Sequence, residues 1–292
     1  MSHRFMRSIG FSEEKTTKEI KKILKLVLMS PTEKQYVTLP DDSIAVEYRK
    51  EFSDSFGIAV CGEFSDEAEF DYEFYYPYLK GQYVSTTTDI ELERLSEKES
   101  YEGVFDDTRV GISIIFRLSN RLDYLKLLMR DDVHAVRKPI TLSGLAEEGT
   151  ILLPIKKDKR QMIQNKKETI ERNKLIADAR AGDEEAIETL TMKDIDIYST
   201  ISKKIMSEDV LTLVDTYVMP FGLECDRYSV MGEILDINEK KNDLSGETVL
   251  IMTLNCNDLV FDICVNKKDL TGEPMIGRRF KGNIWLTGKI DF

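Results

Sequence analysis

The chain has 292 residues, 41 % hydrophobic and 32 % charged, a globular composition long enough for one large domain or two ordinary ones. Fifty-three acids against 41 bases give a net charge of -12, which repels polyanions at long range and argues against nucleic-acid binding by the surface as a whole. Salt screening beyond about 8–10 Å leaves room for a local basic patch.

Met1–Gly10 carries bases with no apolar stretch behind them, so no signal peptide is expected, and no apolar run approaches the length of a membrane helix. The expected setting is cytoplasmic, without a membrane partner. The four cysteines, Cys61, Cys225, Cys256 and Cys264, lack CxxC spacing, which points to reduced thiols. Cys256 and Cys264 flank an apparent hairpin and could be neighbours. Only two histidines occur, His3 and His134, neither near a cysteine in sequence, so no metal site or cofactor is expected.

In chain order, a first helix is predicted over 13–29, with Ser12 as its cap and Ile20, Ile23, Leu24, Val27 and Leu28 on one face. Ser30-Pro31 ends it. Strands follow over 35–39, 43–49, 56–63, 69–76 and 109–118, then a helix over 121–129 and strands over 139–145 and 151–155. This makes residues 1–155 an α+β domain with an N-terminal antiparallel sheet and helices.

Residues 156–222 read as a helical connector. Lys156–Lys174 holds eight bases and three acids, on a long helix stopped by Gly182. Asp183 caps a short helix, Asp194 a third, and a strand is favoured just before Pro220. Residues 223–292 read as a small OB- or SH3-like β-barrel with strands over 228–237, 247–256, 259–266 and 279–290, the middle pair turning at Asn257-Asp258.

Four stretches carry a resemblance: Phe5 to Phe11 (Phe-x-Arg-Ser-Ile-Gly-Phe), Ala179 to Ile187, Met219 to Asp226 (Met-Pro-Phe-Gly-Leu-Glu-Cys-Asp) and Gly277 to Gly288. They resemble an uncharacterised, Firmicutes-type bacterial family of about this length, a domain of unknown function. The resemblance covers the whole chain, implies a bacterial cytosolic setting, and carries over no activity and no catalytic residue.

Enzyme signatures are incomplete. Gly282 to Lys289 departs from a phosphate-binding loop in spacing and in having Ile290 where the hydroxyl belongs, and no GxGxxG follows a strand. SxxK at Ser12–Lys15 and YxxxK at Tyr76–Lys80 are short patterns without their companion motifs. His134 beside Asp132 is the one acid/base candidate of its type, and it equally suits a surface loop. The acidic runs over 63–73 and 89–107 suit solvated faces better than cation sites.

Two constellations carry the functional expectations. Tyr72, Tyr76 and Tyr78 beside those acids could line a ligand or catalytic cleft, or pack a core. On the last strand Phe280, Ile284 and Leu286 face inward, and Lys281, Trp285 and Lys289 face outward after Arg278 and Arg279. Aromatic and basic groups on a barrel face suit single-stranded nucleic acid, a partner disfavoured by the net charge. An outward tryptophan equally suits an interdomain contact. The leading expectation is a non-enzymatic binding or interaction protein with an unknown protein or small-molecule partner. The alternatives are single-stranded nucleic-acid binding and an enzyme using N-terminal carboxylates and tyrosines.

Overall fold

The computed structural model describes residues 4–13, 16–64, 70–95, 100–129, 137–155, 171, 174–176, 178, 179, 182–193 and 214–292. Residues Arg4–Ile9 form a 3-10 helix, followed by α1, Thr17–Met29. Thr16 caps α1 in a reciprocal box with Glu19: the Thr16 hydroxyl accepts from the Glu19 amide, and the Glu19 carboxylate accepts from the Thr16 amide. The expected cap, Ser12, is engaged elsewhere, donating from its hydroxyl to Glu247 at 2.6 Å. Helical spacing places Ile20, Ile23 and Val27 on the buried face.

Four strands then meander antiparallel in the order β1 (Glu33–Thr38), β2 (Ile44–Glu51), β3 (Phe56–Phe64), β4 (Phe70–Leu79). This is the expected N-terminal antiparallel sheet. Short strands β5 (Thr86–Thr88) and β6 (Glu91–Arg94) follow, then β7 (Tyr101–Asp107), β8 (Ile112–Leu118), α2 (Arg121–Met129) and β9 (Lys138–Leu152). The strands expected over 139–145 and 151–155 are thus one. The remaining strands are β10 (Tyr217–Pro220), β11 (Arg227–Lys241), β12 (Thr248–Cys256), β13 (Leu259–Asn266), β14 (Leu270–Thr271) and β15 (Arg279–Ile290). The β12–β13 turn falls on Asn257 and Asp258, both at positive φ (53° and 65°), as a two-residue hairpin requires.

Among the described residues, a second sheet of eleven strands contains a closed ring of pairings. β11 pairs β12, β12 pairs β13, β13 runs parallel to β9, β9 pairs β15, and β15 returns to β11. Ala146, Val230, Met252, Phe261, Phe280 and Ile284 belong to one apolar cluster. Alternate positions on the same strands, Leu145, Val249, Ile251, Cys264 and Trp285, belong to another, shared with the 3-10 helix, α1 and the first sheet. Cys256 and Cys264 fall in different clusters, so they are not the neighbours their hairpin suggested.

The ring bears on two expectations. Residues 223–292 do not close a barrel by themselves, because β9 separates β13 from β15. Divisions at 155 and 222 likewise do not follow the pairings, since β15 joins β9 and β8 across them. A fully paired strand at the sheet centre has no way to signal in local sequence which distant strand it joins.

Of the helical connector, 184–193 is a described helix. Asp183 caps it, accepting from the Glu185 and Ala186 amides at 3.0 and 3.2 Å, and Gly182 adopts the left-handed φ of 91°. Residues 156–170 of the basic stretch expected over Lys156–Lys174, the helix expected from Asp194, and His3 and His134 lie outside the described residues.

Candidate functional site

A cluster of buried ionisable groups lies where the first sheet meets α2. Glu47 on β2 is 3 % exposed, and its carboxylate accepts from Arg49 Nε at 2.6 Å and Arg121 Nε at 3.3 Å. The Cys61 thiol at 3.4 Å and the Tyr76 hydroxyl at 3.3 Å point at the same oxygen, Oε2. Two main-chain acceptors fix the guanidinium groups: Arg49 also donates to the Ser119 carbonyl, and Arg121 to the Val46 carbonyl at 3.1 Å. Arg121 is placed by its position at the start of α2, where its side chain turns back onto β2.

Burial opposes ionisation of Glu47, but Arg49 and Arg121 outweigh it and hold the carboxyl below its ordinary value. Burial pushes the Cys61 thiol and the Tyr76 phenol up, which keeps both neutral. Such a thiol is not a ready nucleophile, since the reactive species is the thiolate. The cluster is a carboxylate neutralised by two guanidinium groups, tying β2, β3, β4 and α2 together. It holds the tyrosine-beside-carboxylate pairing that the sequence suggested. The carboxylate is Glu47 rather than one from the acidic runs.

Tyr76 and Tyr78 are 4 % and 3 % exposed and belong to the apolar core, with Arg49 over the Tyr78 ring at 5.2 Å. Tyr72 is exposed, and its phenol is pushed up to about 12, chiefly by partial burial. The three therefore do not line one cleft. The pleat alone would put all three on one face, but a register shift at Cys61/Gly62, where Glu73 is passed over, turns Tyr72 and the start of β4 away from the face that Tyr76 and Tyr78 share.

The basic and aromatic set of the last strand is likewise dispersed. Trp285 is 6 % exposed, stacks on Phe5 at 5.7 Å, and donates from its indole nitrogen to Asp226 at 2.5 Å. Arg279 is buried, donating to the carbonyls of Leu153, Val214 and Asp215. Arg278 donates to the Glu273 carbonyl at 2.7 Å, and Lys289 pairs with Asp291 at 3.0 Å. Lys281 lies in a separate depression on the outside of the ring. The facing of the strand was legible, with Trp285 and Ile284 on opposite sides. Against the expected nucleic-acid contact, the outward side of Trp285 is covered by the chain's own N-terminal segment. In titration with single-stranded oligonucleotides at low salt, Trp285 emission is expected to stay unchanged. Saturable quenching would show that the Phe5 stack gives way to bases.

Asp226 connects this packing to a second charged group. Burial raises its carboxyl, with the Trp285 N–H and Arg117 acting the other way. Arg117 lies over the Phe74 ring at 5.7 Å, and its neighbour across the β7–β8 ladder, Glu102, is also raised, first by burial and then by the charge of Asp226. Among the described residues no group of three or more His, Cys, Asp or Glu is arranged to hold a metal ion, and no helix is long and apolar enough to cross a membrane.

A family model described as a domain of unknown function from an E. rectale gene, DUF3881, matches residues 6–288. The chain belongs to the DUF3881 family. The match spans the 3-10 helix, both sheets and nearly all of β15, so this DUF3881 chain is covered as one unit rather than as a β-barrel alone. No curated protein and no solved structure matches it.

Glu47, Arg49, Arg121 and Asp226 were not singled out from the sequence. The available signal was weak: Glu47 and Arg49 stand two apart on one strand, hence on one face, with opposite charges. Arg121 is distant in sequence and could not be assigned to them. Asp226 closes one of the four stretches that carried the family resemblance.

Proposed function

We propose that this protein is a non-enzymatic cytosolic binding protein built around an OB-like barrel whose strands are contributed by both halves of the chain. The ring of five strands supports the barrel reading, with β9 supplying the strand that residues 223–292 lack. In OB folds, ligands lie across the middle strands of the barrel face. Here the outward Leu145, Val249, Ile251, Cys264 and Trp285 of β9, β12, β13 and β15 are packed with Phe5, Met6, Ile9 and Phe11. The observation that carries the reading is the enclosure of the Glu47 cluster. The residue types best suited to chemistry are charge-paired or held neutral, mutually hydrogen-bonded and buried, so they hold the fold rather than meet a substrate.

The nucleic-acid alternative keeps Lys281 and Lys289 as outward cations without a stacking platform. The enzyme alternative keeps Glu102 and Asp226 as carboxyls raised by burial. Tagged protein isolated from its host at low salt and examined by native mass spectrometry separates the three. The expected result is a stoichiometric protein or small molecule released chemically unchanged. Single-stranded nucleic acid lost on raising salt would replace this reading by the second, and a product formed from an added cell extract would replace it by the third.

A further inference from the structure

A depression of about 360 Å³ lies on the outside of the ring, where β9, β11 and β15 meet. Its walls include Lys281 and Asn283 from β15, Ser229 from β11, Glu148 and Thr150 from β9, and Thr271 from β14. The depression is placed by a bulge. Gly282 pairs Gly149 and Ile284 pairs Ala146, so Glu147 and Glu148 together oppose the single residue Asn283. Such two-against-one bulges interrupt the ladder and redirect side chains, and they recur beside functional sites. The close approach is built in: a Cβ on Gly282 would stand 2.7 Å from the Glu148 carbonyl.

The charges around the depression fall into two groups. Asp269, on its wall, is held by both forks of Arg7 at 2.7 and 2.5 Å, and Glu147 by Arg4 at 2.5 Å. Lys281 and Glu148 are different. Among the described residues neither has an oppositely charged partner, although both line the same depression. Lys281 and Asn283 are partly buried, and Ser229 presents a hydroxyl shared with Tyr217 at 3.3 Å. A partly buried ammonium with amide and hydroxyl neighbours suits a carboxylate, and an unpaired carboxylate across the bulge suits an ammonium.

We propose that this bulge-lined depression binds a small zwitterion, its carboxylate on Lys281 and Asn283 and its ammonium on Glu148. The size limits the ligand to an amino acid or short peptide. The polar walls and the lack of an aromatic side chain among them favour the charged backbone of such a molecule over an apolar side chain. The site rests on reading the chain as a binding protein, and names the ligand class that reading leaves open.

Amide NMR of the full-length protein with three probes tests it. Glycylglycine carries both charges, N-acetylglycine only the carboxylate, and glycinamide only the ammonium. The expected result is saturable shifts of the Gly149, Gly282 and Asn283 amides with glycylglycine, and binding about tenfold or more weaker for each single-charge probe. Lys281→Met is expected to abolish discrimination between glycylglycine and glycinamide, and Glu148→Gln that between glycylglycine and N-acetylglycine. Both positions are solvent-facing, and the remaining amide spectrum reports that each variant is folded. No saturable shift with glycylglycine at about 50 mM, or equal binding of N-acetylglycine, overturns the zwitterion site. Recovery of the dipeptide intact supports the binding reading separately; its cleavage to glycine while the shifts persist would keep the site and overturn that reading.

Discussion

Replacing Glu47 by glutamine is expected to cost about 3–5 kcal/mol, because two buried guanidinium groups lose the charge that neutralises them. For a chain of this size that lowers the thermal midpoint on the order of 10 °C. Glutamine keeps the shape and an acceptor oxygen, so the loss reports charge rather than packing. The carbonyls of Ser119 and Val46 still receive hydrogen bonds from Arg49 and Arg121, but they carry no charge to balance them.

The same group fixes an acid-side signature. The folded carboxyl lies below its ordinary value because Arg49 and Arg121 outweigh burial. Its contribution is therefore present above about pH 4.3, the unfolded value, and is lost as pH falls through the lower folded value. The gap between wild type and Glu47→Gln should close over that window. Changing Glu47, Arg49 and Arg121 together to apolar residues of similar volume should be far less damaging than Glu47→Gln alone. If the single variant melts with the wild type at neutral pH, the cluster is not the latch described above.

How much of this was legible depends on the range over which each feature is encoded. The β12–β13 hairpin follows from alternation around Asn257-Asp258, and β15 was bounded at Arg279 and Ile290 in both readings. These are local: periodicity and turn chemistry decide them. The cap of α1 was misplaced by four residues because Ser12 and Thr16 are both competent caps. What decides between them is Glu247, more than 200 residues away, which takes the Ser12 hydroxyl. The acidic stretch over 89–107 was read as solvated face, yet it contains β6 and β7, with Tyr101 and Phe105 buried beside the partly buried Glu102 and the exposed Asp106. Net charge obscured an alternation that was present.

The candidate sites divide in the same way. Facing was readable, so Trp285 was rightly placed outside the ring, with Phe280 and Ile284 in a different cluster. What covers that outer side was not, because the covering residues, Phe5, Met6, Ile9 and Phe11, approach from across the fold. The Glu47 cluster draws on four elements, and its partners come together only through sheet topology. Lys281 was singled out as a contact, and among the described residues it has no oppositely charged partner. Its neighbours across the bulge, Glu147 and Glu148, are set by a register shift that no local pattern announces.

Removing the first twelve residues is expected to leave no cooperatively folded protein. Phe5, Met6, Ile9 and Phe11 are each at most 4 % exposed. At about 1.5–3 kcal/mol apiece their burial contributes roughly 6–12 kcal/mol as an upper estimate, against a total stability of about 5–15 kcal/mol for a typical domain. Their loss would also bare Leu145, Val249, Ile251, Cys264 and Trp285 on the ring. Polar ties act with them: Ser8 donates to the Ala146 carbonyl at 2.7 Å, Asn242 to the Ile9 carbonyl at 2.8 Å, and Ser12 to Glu247. Asn242 and Asn266 are buried and would lose main-chain acceptors that water would have to replace. Phe11→Ala alone, which removes an edge-on contact with Phe52 at 5.0 Å, should cost about 3–5 kcal/mol and leave a folded chain for comparison. Circular dichroism and thermal melting read both variants. A truncated chain that still melts sharply near the wild-type midpoint would mean that the ring of strands stands without its N-terminal cover, and its outer face would then be available to a ligand from outside the chain.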